Sequence, residues 1–176
     1  MERLGDWVIV AYHSITNVSD LLSNERLLSV CAVLDASMVC SRLQLAVAIQ
    51  RLNNNVAASG GQLRSRTMHS ELMLMLSPTR NITEAMRLFS MDDKKLAHSS
   101  DAAVVGPAAI FAMHAPHRDD IALVTAAVKG ASLPLAQLSA YANQDAIVKA
   151  YGIGAPELSH CGLESCVVNR IAISDI

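Results

Sequence analysis

The sequence predicts an α/β fold: one layered domain over residues 1–176, with a small, mostly antiparallel or mixed sheet packed against several helices. Short apolar runs of strand length alternate with longer amphipathic runs of helical period. At 176 residues, 52% hydrophobic and 17% charged, the chain has enough apolar surface for a sizeable core. It contains no internal repeat and no low-complexity tract that would point to a solenoid or a linker.

Trp7–Ile15 (WVIVAYHSI) is almost continuously apolar and rich in β-branched and aromatic residues, as in a strand buried on both faces. A polar Thr16-Asn17 then opens a helix with Val18, Leu21, Leu22 and Leu28 on one face. SVCAVLD, residues 29–35, is a second strand, and Ser37–Leu52 a helix with Met38, Leu45, Ile49 and Leu52 aligned. Asn53–Gln62 is polar and Gly-rich and predicts a loop. His69–Leu76 is an apolar helix, ended by Pro78, which disfavours the helical conformation at Ser77. A new helix begins at Ile82, because Asn81-x-x-Glu84 is close to a capping box.

After the polar link Ser90–Asp101, AAVVGPAAIFAM (102–113) predicts an edge strand or one broken at Gly106-Pro107, since proline cannot donate to a sheet ladder. DDIALVTAAVKG predicts a helix ended by Gly130. Short elements follow, and Pro156–Ile173 closes the chain as a helix with Leu163, Cys166, Val167, Arg170 and Ile171 on one stripe.

A net charge of −2 supplies no global field toward nucleic acid or anionic membranes, so any such contact must be local. Only 3% of residues are aromatic, which disfavours base-stacking platforms. No apolar stretch reaches membrane-span length, and MERLGDW lacks the form of a signal peptide, so an intracellular protein is expected. Asn17-Val18-Ser19 and Asn81-Ile82-Thr83 are then chance matches to a glycosylation pattern. Cys31, Cys40, Cys161 and Cys166 form no C-x-x-C pair and are expected as reduced, mostly buried thiols.

Catalytic signals are weak. His114-Ala-Pro-His117 lacks an acidic or thiolate ligand at zinc-like spacing, and a surface loop is the plainer reading. A nucleophile built from Cys40 and His69 has no sequence pattern behind it. Gly60-Gly61 and Gly152-x-Gly154 lack the context of a phosphate loop. No cofactor, no metal and no catalytic residue is expected. The alternatives are a small enzyme using a His/Cys site and a generic interaction scaffold.

The tight corner between the two middle helices is the most informative feature. It is either a plain helical hairpin with every apolar residue in the core or an apolar corner turned toward a partner. Leu72, Met73, Leu74, Met75 and Leu76 cannot all share one helical face, which favours some outward apolar surface.

HSELMLMLSPTRNITEAMRLF (His69–Phe89) resembles the small kinase-binding subunit of the KEOPS (EKC) complex, the TPRKB family, in its Ser-Glu-apolar helix, Ser-Pro turn, Asn-Ile and Ala-x-x-x-Phe helix. CAVLDASMVCSRLQLAVAIQRL, VKGASLPLAQLSAYANQDAIVKAYGIGAPEL and GLESCVVNRIAISDI extend the resemblance over nearly the whole chain. Ser90 stands where that family usually has Gly, so a Gly cap is lost after Phe89.

The resemblance implies a non-catalytic accessory subunit, cytoplasmic and nuclear, which binds and supports the atypical kinase of the complex. That complex places threonylcarbamoyl on the tRNA adenosine beside the anticodon. By the same resemblance, Leu76, Pro78, Ile82 and Ala85 would form one part of the kinase-binding surface, with Leu163 and Val167 as a second part close by. tRNA is a further partner, for which Arg64, Arg66, Arg80, Lys149 and Arg170 are the basic residues nearest the motif segments. No membrane partner is expected.

Overall fold

The structure, a computed structural model, describes residues 1–92 and 107–173. Its packing divides into two compact units, Met1–Ala36 with Ser90–Leu135, and Ser37–Phe89 with Ala136–Ile176.

The first unit holds an antiparallel sheet of β1 (Glu2–Leu4), β2 (Trp7–His13), β3 (Ala32–Asp35), β4 (Ala109–His114) and β5 (Ala131–Ser132). The order is β1-β2-β4-β3, with β5 also on β2. Leu4 pairs with Trp7 across a two-residue turn in which Gly5 takes φ 60°. This is the positive φ that a hairpin turn of this length needs. The register sets Val10 opposite Phe111 and Val33 opposite Phe111 from the other side.

Because strand side chains alternate, Val8, Val10, Val33, Phe111 and Met113 share one face. They form a core with Leu21, Leu27 and Val124. The latter come from α1 (Val18–Ser23), α2 (Glu25–Val30) and α6 (Arg118–Ala127). Trp7, Ile9 and Ala11 on the alternate side are also buried, so β2 is covered on both faces as its apolar run predicts.

The second unit is helical: α3 (Arg42–Ala58), α4 (Met68–Leu76), α5 (Ile82–Phe89), α7 (Gln144–Tyr151) and α8 (Ala155–Ile173). α3 packs against α4 and α8, and α4 against α5. Gly152 ends α7 in the left-handed region at φ 61°.

Several expectations are corrected. The edge-strand alternative for 102–113 is overturned: β4 is an interior strand between β2 and β3, and Pro107 stands ahead of it, its carbonyl accepting from Ile15 N at 3.1 Å. The preceding stretch, 93–106, lies outside the described residues. The first predicted helix is two, split at Asn24, whose side chain accepts from Leu27 N. α3 starts at the Ser41 cap and runs through Asn53–Ala58, so the predicted loop is mostly helix. α6 ends at Ala127, short of Gly130. The closing helix is interrupted at Gly162, which sits at φ 72° and ψ 162°.

Candidate functional site

The corner between α4 and α5 is built by successive short-range caps. Thr67 opens α4, accepting from Ser70 N at 3.1 Å, while Ser70 Oγ accepts from Thr67 N at 3.2 Å. Ser77 closes it in extended backbone at ψ 144°, the conformation a following proline favours. Ser77 Oγ then accepts from Thr79 N, Thr79 Oγ1 from Asn81 N, and Asn81 Oδ1 from Thr83 N and Glu84 N. Each polar side chain thus caps backbone two or three residues ahead, and the chain reverses without losing hydrogen bonds. Glu84 does not complete the expected capping box; it pairs with Arg87 at 3.9 Å.

Beneath the corner lies a buried polar relay. The Tyr151 hydroxyl donates to the Leu76 carbonyl and accepts from Gln44 Nε2 at 3.0 Å. Gln44 Nε2 also donates to Met38 O at 3.3 Å, and Gln44 Oε1 accepts from Cys40 N at 2.8 Å. Leu76 O is one of the last carbonyls of α4, which have no partner within their own helix. Burial pushes the Tyr151 hydroxyl well above the usual tyrosine range, which keeps it a donor. Phe89 meets the Tyr151 ring edge-on at 6.4 Å and 76°. The end of α5 is thereby fixed by the same side chain as the end of α4.

The outward apolar surface inferred from crowding in α4 is corrected. Glu71 through Ser77 are all buried, so α4 is covered all round instead of showing one face. Leu76, Ala85 and Val167 are buried core residues, and their outward placement is corrected with it. Pro78, Ile82 and Leu163 are half-buried. Met86, not anticipated, is 43% exposed one helical turn beyond Ile82 and continues its stripe on α5. Arg80, Thr83, Glu84 and Arg87 are exposed on the same segment.

Among the basic candidates, Arg64, Arg66, Arg80 and Lys149 are exposed. Arg64 and Arg66 share the loop before α4, Arg80 sits at the corner, and Lys149 lies on α7. Arg170 has partners within the chain: its Nη2 donates to Glu157 Oε2 at 2.7 Å and to Gly152 O at 3.3 Å.

His114 packs against Trp7 with ring centroids 5.1 Å apart. His117 N donates to Asp120 Oδ2 at 2.9 Å, at the start of α6. Among the described residues no three His, Cys, Asp or Glu side chains gather as a metal would require, and no helix is long and apolar enough to cross a membrane. Burial, partly opposed by a hydrogen bond from Ser41, pushes the Cys40 thiol up to about 11, and burial pushes Cys31 up to about 12. Neither is a thiolate near neutral pH.

Comparison with known proteins gives the family of the chain. The sequence model of the family described as "Kinase binding protein CGI-121" matches residues 12–175, and the chain belongs to that family. The "EKC/KEOPS complex subunit TPRKB" of Danio rerio is 31% identical over 147 residues, covering 82% of this chain and 77% of that protein. The "EKC/KEOPS complex subunit CGI121" of Candida glabrata is 39% identical over 85 residues, 48% of this chain and 47% of its own length. The corresponding Aspergillus fumigatus subunit is 34% identical over 125 residues, 70% of this chain and 62% of that one. The match thus spans about half of the Candida protein and just under two thirds of the Aspergillus one.

Proposed function

We propose that the chain is a non-catalytic accessory subunit of a KEOPS/EKC complex, acting as a single functional domain over residues 1–176 in the cytoplasm and nucleus. It binds and supports the atypical kinase of that complex and so assists threonylcarbamoyl modification of the tRNA adenosine beside the anticodon. The family description and the names of the relatives support this reading. The observation that carries the docking site is the corner itself: a backbone pinned by Tyr151 that leaves Ile82 and Met86 on the outer stripe of α5.

In this reading Pro78, Ile82 and Leu163 touch the kinase, while Leu76, Ala85 and Val167 support them from the core. Arg64, Arg66, Arg80 and Lys149 give local, salt-sensitive contacts to tRNA phosphates despite the negative net charge. Titrating the purified chain with the atypical kinase of its own cell tests the proposal. Saturable one-to-one binding that raises kinase activity is expected, whereas no binding by either protein's full chain contradicts it.

A further inference from the structure

The last turn of α3, the Gly60-Gly61 turn and the loop leading to α4 bound a cavity of about 390 Å³, lined among others by Asn55, Ser59, Gln62, Arg64 and Glu71. That is a size typical of small-ligand sites. At its wall stands an unusual group. Glu71 is only 3% exposed, yet no cation pairs with it among the described residues. Its Oε2 takes three donors: Arg64 N at 3.1 Å, Ser65 N at 2.7 Å and Ser65 Oγ at 2.6 Å. All three converge on one oxygen, and Oε1 has no hydrogen-bond partner among the described residues.

The three donors satisfy Oε2, and Oε1, which keeps some contact with solvent, is left as an acceptor at the cavity wall. The rest of the lining is mixed: Val56, Ala58 and Leu63 are apolar, Asn55, Ser59 and Gln62 are polar, and Arg64 brings a guanidinium of its own. Asn55 gives its Nδ2 to Met75 Sδ at 3.4 Å, which leaves Oδ1 without a partner among the described residues, and the single Ser59 hydroxyl proton is shared between Gln62 O at 2.7 Å and Val56 O at 3.1 Å. An anion would meet the Glu71 charge, and a divalent metal would find only one carboxylate. The fitting occupant is a compact positive group carrying several N–H donors.

We propose that this cavity is a binding site for a small organic cation, an ammonium or guanidinium group, with Glu71 Oε1 as its charged acceptor and Asn55 Oδ1 as a second. The site is separate from the α4–α5 corner and does not depend on kinase binding. Glu71 then has two tasks divided between its oxygens: Oε2 fixes the Arg64-Ser65 backbone and Oε1 takes the ligand.

The test uses the whole chain, titrated with methylguanidinium and methylammonium while the Glu71 carboxylate and the Arg64 and Ser65 amides are followed by NMR. Saturable shifts at those three positions are expected, with none from acetate or phosphate. Glu71→Gln should weaken binding about tenfold or more. Because that variant also loosens the loop, Ala58→Phe provides a second probe: Ala58 lines the cavity from an exposed position, so the ring should block the ligand with Glu71 unchanged. N-acetyl-arginine amide distinguishes the source, since its binding as tightly as methylguanidinium assigns the site to a protein side chain and its exclusion to a free cation. Unsaturable shifts, or binding untouched by both variants, would overturn the proposal and leave Glu71 as a loop clamp alone. Cation binding only after removal of the Arg64 guanidinium in Arg64→Ala would overturn it too, since Arg64 would then be the cavity's own occupant.

Discussion

The Tyr151 hydroxyl donates to the carbonyl of Leu76, 75 positions earlier in the chain, and so ties α7 to the end of α4 at the corner where the chain reverses. The tie stabilises the second unit, and the same side chain packs its ring against Phe89 at the end of α5.

Removing it should therefore be expensive for so small a change. Tyr151→Phe keeps the ring that Phe89 packs against, but leaves Leu76 O and one Gln44 Nε2 proton without their buried partner. The expected loss is about 1–3 kcal/mol of stability, read by denaturant unfolding. A change near zero would mean that water replaces the hydroxyl.

The thiols should respond in a fixed order. Cys161 is exposed, while Cys31 and Cys40 are buried and pushed up to about 12 and about 11 from an ordinary 9.0. A thiol reagent applied to native protein near neutral pH should label Cys161 first and the buried pair only at the rate of unfolding. Raised folded-state values favour the protonated folded form. Their contribution to stability is complete below about pH 9 and is lost as pH rises through 11 to 12. Stability measured across that alkaline range should fall in wild type and fall less in Cys31→Ala.

Gly130 predicts a purely steric effect. A Cβ there would lie 2.9 Å from the His13 carbonyl and 3.0 Å from Ile15 Cγ1. The end of β2 must shift to admit it, so Gly130→Ala should destabilise by about 1–3 kcal/mol in thermal unfolding. An unchanged melt would show that the His13–Ile15 turn yields freely.

How much of this was readable beforehand depends on how local each signal is. The α4–α5 corner was readable because Pro78 and Asn81 act within three residues of themselves. β2 was readable because a strand covered on both faces must be apolar throughout. β1 was not, since three residues of alternating polarity carry no period, although Gly5-Asp6 was a turn signal in plain view. Asn53–Asn55 favour a loop on propensity, yet stay helical where Asn55 reaches Met75. The site was less legible for a related reason. Five apolar residues in a row signal either an outward patch or a helix buried all round, and α4 is the second. Tyr151, Gln44 and Glu71 act over long sequence separation or from buried positions, and nothing local marks them.

Arg64 and Arg66 predict a tRNA effect that Arg170 does not share. Both are exposed on one loop, whereas Arg170 is held by Glu157. Reversing Arg64 and Arg66 to Glu should weaken tRNA binding by the assembled complex and flatten its dependence on salt by about one to two phosphate contacts. Equal binding by wild type and variant at low salt would remove this loop from the RNA surface.

In the proposed docking, the α5 stripe faces the kinase while the residues beneath it hold the fold. Ile82→Glu and Ala85→Glu test it as a pair, because they lie three residues apart on one helix, with Ile82 half-buried and Ala85 fully buried. Ala85→Glu should unfold the second unit. Ile82 as an interface anchor would contribute roughly 1.5–3 kcal/mol to docking. The measurement is the melting temperature of free Ile82→Glu alongside its affinity for the kinase. A melt close to wild type with affinity reduced more than about tenfold is the expected result; a collapsed melt, or a normal melt with unchanged affinity, would contradict it.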